Sequence, residues 1–247
     1  MLATLAKDLT NFIYPPVCPS CRSSVEQNTV FCPTCTESLS TLASHPACPR
    51  CASPIPDGSA CPFCNGDGIY PLESITALGS FRDPLRKIIH EMKYHHRWPL
   101  AETLAGRMLA EERIRNLLNE IDVLIPIPLH WTRQILRGFN QADTLARRLS
   151  HHRPGLKISR ALVRLKNTTP QTTVHSIADR AENLRHAFGL VNPGSIADKR
   201  IALVDDVKTT GSTLKAAARA LQDAEPACVH AIVLAAADPR RRDFQIV

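Results

Sequence analysis

The run Ile201-Ala-Leu-Val-Asp205-Asp206-Val207-Lys208-Thr209-Thr210-Gly211-Ser212-Thr213 constrains the fold more than any other part of the chain. Its four leading apolar residues, Ile201 to Val204, read as a buried parallel strand with two carboxylates at the C-terminal end. A Thr-Thr-Gly-Ser-Thr loop then opens into an Ala-rich helix from Leu214 to Leu221. Ligands of open α/β sheets bind at that edge, outside the carboxyl ends of the strands. The loop offers successive backbone N–H groups, small hydroxyls and a helix N-terminus, which together make an anion cradle. Two acids just ahead of such a cradle suit a sugar phosphate. Asp205 and Asp206 accept from vicinal ribose hydroxyls, while Val207, Lys208, Thr209, Thr210, Gly211, Ser212 and Thr213 hold the 5-phosphate. A strand, an acidic turn and a Thr/Gly helix cap without a ligand is the plainer alternative.

Eight of the nine cysteines fall in four C-x-x-C pairs: Cys18/Cys21, Cys32/Cys35, Cys48/Cys51 and Cys61/Cys64. In a reducing compartment this is metal spacing rather than a disulfide framework. Each turn points two thiolates at one ion, and two turns complete a tetrahedral zinc site. The eight ligands therefore suit two structural zinc ions. Sequential pairing gives two stacked zinc ribbons, and an interleaved cross-brace uses the same residues. Full coordination leaves no open position for catalysis, so the metal would act by stabilising a segment too small for its own core. Cys228, alone in an apolar run, reads as a buried strand residue.

At 247 residues the chain has room for one mid-sized α/β domain and a smaller module. It contains no apolar run long enough to span a membrane. Met1 to Val17 places Leu2, Leu5, Leu9, Phe12 and Ile13 on one helical face, interrupted by Lys7 and Asp8. That interruption argues against a signal peptide and for a docking helix, with a membrane-surface helix as the alternative. A cytoplasmic location is expected.

The expected organisation is a leading helix (1–17), a zinc module (18–68) and an α/β domain (72–247). Strands are expected at Ile75–Phe81, Val123–Pro128, Ala161–Leu165, Ile201–Val204 and Cys228–Ala236. Helices are expected after an Asp83 cap, over Pro99–Leu118, over Gln141–Leu149 and over Ser176–Ala187. Strands alternating with helices imply a parallel sheet.

The charge is concentrated in one segment. From Trp131 to Lys166 there are nine cations (Arg133, Arg137, Arg147, Arg148, Arg153, Lys157, Arg160, Arg164 and Lys166) against Asp143 alone, a net +8. The remaining 21 basic and 22 acidic residues nearly cancel, so this segment carries the whole +7 excess. A pyrophosphate needs only a few of these cations. The surplus points to a polyanion such as nucleic acid, bound through Arg133, Arg147, Arg148, Arg153, Lys157, Arg160, Arg164 and Lys166. A solvated basic face has the same composition.

The Ile201–Thr213 run resembles the phosphoribosyl-pyrophosphate (PRPP) signature of the type I phosphoribosyltransferases. A wider set of residues is similar to the ComF/GntX family: Pro126-Ile-Pro-Leu-His-Trp131, Arg137-Gly-Phe-Asn140-Gln, Arg164 with Lys166, Thr169 and Gln171, Arg180-x-x-Asn183, Ala187-Phe188 and the cysteine-rich front end. The resemblance covers nearly the whole chain. It implies an N-terminal zinc finger, a type I phosphoribosyltransferase-like domain and a role in natural transformation, handling single-stranded DNA beside other DNA-uptake machinery. It supplies no phosphoribosyl acceptor. The loop Leu129-His130-Trp131 would face the pyrophosphate and its Mg²⁺, with Arg133, Arg137 or Lys166 neutralising the leaving group. The polar segment 166–175 would serve as a lid, and His130 and His175 are minor candidates for acid chemistry. Enzymes of this fold usually choose the acceptor with a hood. The stretch Asp238 to Val247 is too short for one, unless the zinc module or the helices of 83–118 take its place.

Overall fold

The computed structural model describes residues 16–27, 29–55, 60–95, 97–129, 138–165 and 187–238. Residues 1–15 of the expected leading helix, 176–186 of the expected Ser176–Ala187 helix, and residues 130–137 and 166–175 lie outside them.

Two small cysteine hairpins come first, closed by the bridges Val17–Ser24 and Ala47–Pro54. Between them runs helix α1, Pro33–Ser44, whose first backbone N–H groups are met by a cysteine: Cys35 N donates to Cys32 Sγ at 3.4 Å. Strand β1 (Ser74–Ser80) leads into α2 (Leu85–Tyr94), α3 (Pro99–Ala110) and α4 (Glu112–Glu120). Next come β2 (Val123–Pro126), α5 (Gln141–Ser150), β3 (Lys157–Ile158), β4 (Leu162–Arg164), β5 (Phe188–Leu190), β6 (Arg200–Lys208), α6 (Ser212–Leu221) and β7 (Cys228–Ala236).

Five strands form an all-parallel sheet in the order β1-β7-β6-β2-β3, with β6 at its centre. β4 and β5 pair antiparallel as a separate two-stranded ribbon. Because strand side chains alternate, the sheet supports two cores. Ala202, Val204 and Leu234 face α2, α3, α4 and α5, whereas Ile201, Leu203 and Val233 face α6 and the β4–β5 ribbon. Within α2 the residues Leu85, Ile88, Ile89 and Met92 are all buried, the 3.6-residue stripe that a sheet-facing helix needs.

The structure departs from the sequence reading at several points. Asp83 does not cap α2; its carboxylate pairs with Arg86 at 2.9 Å and Lys87 at 3.3 Å instead. The single helix expected over Pro99–Leu118 breaks at Glu111, whose backbone is extended. The break frees carbonyls that Arg115 meets, at Leu109 O (2.8 Å) and Ala110 O (2.6 Å). It also lets Arg113 reach Ala43 O, Ala77 O and Leu78 O at 2.7, 3.0 and 2.8 Å, tying α4 to α1 and β1. Cys228 lies at the start of β7 but is only half-buried, 3.5 Å from His230 Nε2.

The front module is not a loose appendage. Cys18, Cys32 and Cys35 belong to the same hydrophobic cluster as Leu85, Ile88 and Met92. Gly79 lets α1 lie against β1, since a Cβ there would stand 3.0 Å from Leu42 O.

Candidate phosphate loop and zinc ribbons

The ladder of β6 does not stop at Val204. It continues through Asp205↔Val233, Val207↔Ala235 and Lys208↔Ala236, so both acids lie inside the strand. Successive strand residues face opposite sides, and the two carboxylates accordingly find different surroundings. Asp205 Oδ1 accepts from Asp206 N at 2.8 Å. Asp206 Oδ1 lies 3.1 Å from Lys93 Nζ, an ammonium buried at the end of α2. Burial, followed by the adjoining Asp206 charge, pushes the Asp205 carboxyl up to about 7; the Asp206 N–H, Lys93 and Arg164 pull against that rise.

Beyond β6 the chain turns through Gly211, whose φ of 81° is left-handed and suits glycine. Thr210 Oγ1 lies 2.7 Å from Ser212 Oγ and accepts from Ser212 N at 3.3 Å, and Lys215 N returns to Gly211 O at 2.8 Å to start α6. The side chain of Thr210 is exposed, and those of Thr209, Ser212 and Thr213 are half-buried. Small hydroxyls and a helix N-terminus thus stand together just past two acids, an arrangement suited to an anionic group linked to a polyol.

Lys208 behaves differently from the sequence expectation. Its side chain is 2% exposed and passes the loop, with Cε 3.8 Å from where a Cβ on Gly211 would stand, and its ammonium donates to Ser53 Oγ at 2.7 Å. In this arrangement the ammonium serves Ser53 rather than the loop hydroxyls.

At the neighbouring strand end, Leu129 is half-buried, while His130, Trp131, Arg133, Arg137 and Lys166 lie outside the described residues. Asn140 gains a clear role: its Nδ2 donates to Ile127 O at 3.1 Å, and its Oδ1 accepts from Ala142 N at 3.0 Å. It fixes the end of β2 to the start of α5 as a helix cap.

The basic segment divides into distinct environments. Arg147 and Arg160 bracket Asp143 at 2.7 and 2.6 Å. Arg153 lies past the end of α5, not on its outer side, and donates to Leu118 O and Ile121 O. That guanidinium clamps the end of α4, which corrects its assignment to a nucleic-acid face. Arg164 lies over the Phe188 ring at 5.4 Å, and its charge favours the ionised form of Asp205. Arg148 and Lys157 are exposed.

The cysteines assemble in sequence order. Cys18, Cys21, Cys32 and Cys35 form one group and Cys48, Cys51, Cys61 and Cys64 the other, the four sulfurs of each lying within 4.8 Å of one another. Individual separations of 3.5 Å (Cys21–Cys32), 3.6 Å (Cys48–Cys64) and 3.6 Å (Cys51–Cys61) approach the roughly 3.8 Å edge of a tetrahedron with Zn–S bonds of about 2.3 Å. Both donor sets fit structural zinc, and the interleaved alternative falls away.

Lys93 and Ser53 were not singled out by the sequence for these contacts. Each acts across the fold, where no local spacing marks it.

Among protein-family models, the phosphoribosyl transferase domain matches residues 96–245 and the double zinc ribbon domain residues 9–65. The chain is similar to competence protein F of Haemophilus influenzae, 33% identical over 154 residues, covering 61% of this chain and 67% of that protein. It is similar to the DNA utilization protein YhgH of Salmonella typhimurium, 30% identical over 210 residues and 83% of each chain. Competence protein ComFC of Bacillus subtilis is 36% identical over 102 residues, 40% of this chain and 38% of that one. Among the described residues no helix is long and apolar enough to cross a membrane.

Proposed function

Because this chain belongs to the ComF family, we propose that it binds PRPP with Mg²⁺ at the carboxyl end of β6 and handles incoming single-stranded DNA in natural transformation. One observation carries the first half: Asp205 and Asp206 run without interruption into the hydroxyl-bearing loop Thr209–Thr213 and the N-terminus of α6, at the edge where open parallel sheets take their ligands. In this reading ionised Asp205 and Asp206 accept from the two ribose hydroxyls. The loop N–H groups and the Thr210 and Ser212 hydroxyls take the 5-phosphate. Lys93 holds the Asp206 carboxylate in place before the ligand arrives. Arg164, stacked on Phe188, adds positive charge beside the sugar. The Mg²⁺ carried with PRPP would neutralise its pyrophosphate, and Leu129 lies at the adjoining strand end.

The second half rests on the competence and DNA-utilization names of the relatives and on the basic segment, of which Arg148 and Lys157 are exposed. We read the protein as cytoplasmic, where the paired thiols stay reduced for metal.

The intact acid pair equally suits a second reading, an active phosphoribosyltransferase that releases pyrophosphate onto an unidentified acceptor. Titrating PRPP and Mg²⁺ by calorimetry, following single-stranded DNA by fluorescence anisotropy, and assaying pyrophosphate release with nucleobases and amines separates the readings. Binding of both ligands without turnover supports the first, and turnover supports the second. Absence of PRPP binding removes both.

A further inference from the structure

Lys208 is a charged side chain almost wholly out of water, and its ammonium donates to the neutral Ser53 hydroxyl. Among the described residues no carboxylate pairs with it. A buried ammonium without a counter-charge is costly, so its compensation has to come from elsewhere. Ser53 is itself fully buried, and its Oγ lies 3.3 Å from Cys51 Sγ. Four thiolates around one Zn²⁺ carry a net charge of about −2. With Cys51 as a thiolate, the Ser53 hydroxyl donates to sulfur and accepts from Lys208, linking the cation to the anionic centre.

The same ribbon touches the loop a second time. A Cβ on Gly211 would stand 2.6 Å from Ile69 Cδ1, and Ile69 packs against the second cysteine cluster. Lys208 is the last residue of β6, its carbonyl held by Ala237 N at 2.8 Å, and Thr209 follows directly. One polar and one apolar contact thus join the second ribbon to the two ends of the Thr209-Thr210 turn.

We propose that Lys208 is the charge partner of the second zinc–thiolate site and that this site, through Lys208–Ser53 and Ile69–Gly211, holds the phosphate loop in its binding shape. Zinc in that ribbon and an anionic ligand at the loop then stabilise each other, since linkage between two sites is reciprocal. The ligand half of this inference rests on the PRPP reading above; the metal half does not.

The test is cysteine alkylation of the zinc-loaded full-length protein, read site by site by mass spectrometry. Lys208→Met keeps the apolar stem and removes the charge. It should speed alkylation of Cys48, Cys51, Cys61 and Cys64 by about tenfold or more, the usual effect of removing a group that supports metal ligands. Cys18, Cys21, Cys32 and Cys35 should stay at the wild-type rate and so report that the fold is intact. Ser53→Ala should act in the same direction. Unchanged protection of the second set in both variants overturns the charge-partner role, as does equal acceleration of both sets. In the wild type, PRPP with Mg²⁺ should slow alkylation of the second set alone. PRPP that binds by calorimetry yet leaves that rate unchanged overturns the coupling. A wild type that binds no PRPP contradicts the PRPP reading, while the ligand-free Lys208→Met comparison still decides the metal half.

Discussion

Lys93 Nζ lies 3.1 Å from Asp206 Oδ1, with the two side chains 6% and 13% exposed, so a buried ion pair joins the last turn of α2 to the centre of the sheet. It fixes one of the two acids while leaving the other, Asp205, to respond to pH and ligand. Lys93→Met should leave Asp206 uncompensated beside Asp205. Removing one partner of a buried pair costs on the order of 3–5 kcal/mol, which a urea unfolding curve would show directly. A loss below the measurement error would mean that Asp206 has other compensation.

Asp205 makes stability depend on pH in a definite direction. Its folded carboxyl sits at about 7, above its ordinary value of 3.8. Between those values the unfolded chain releases the proton and the folded chain keeps it. This group therefore lowers stability as pH rises from about 4 to 7 and adds no further slope above that. Asp205→Asn should remove this contribution, so the variant gains on the wild type as pH rises from 5 to 8 in paired denaturant titrations. A constant difference across that range would rule out a raised carboxyl.

Metal analysis of protein purified without added zinc should approach two ions per chain, one for each cysteine group. Chelation should then lower the melting temperature of the whole chain in one transition, because Cys18, Cys32 and Cys35 share a core with α2. A separate low-temperature transition, with the remainder melting as before, would show an independent front module.

Arg148→Glu with Lys157→Glu should weaken single-stranded DNA binding and flatten its salt dependence, by about 0.7 in log–log slope for each phosphate that is no longer neutralised. Arg153→Glu should instead destabilise the fold, since its guanidinium serves the Leu118 and Ile121 carbonyls. Anisotropy and unfolding curves on the same variants distinguish these effects. DNA affinity untouched by the double change would mark that face as merely solvated.

The parallel α/β sheet of the phosphoribosyltransferase type and the double zinc ribbon were legible in the sequence because each has a local signature. The apolar runs of β6 and β7 and the C-x-x-C spacing need no distant partner to be recognised. Three classes of feature were not legible. β6 runs four residues past its apolar core, because its ladder with β7 carries Asp205 and Asp206 inside the sheet. β3 and β5, of two and three residues, are too short to show a period. The Lys208–Ser53 contact spans 155 residues of sequence, and nothing near Lys208 marks that its ammonium meets Ser53.

The central claim is that the β6 loop binds PRPP, and calorimetry of the wild type beside Asp205→Asn tests it most directly. The wild type with Mg²⁺ should bind PRPP with affinity rising from pH 6 to 8 as Asp205 ionises, and the near-isosteric variant should bind weakly with that rise removed. A silent wild type, or equal affinity in the two proteins across the pH range, would contradict it.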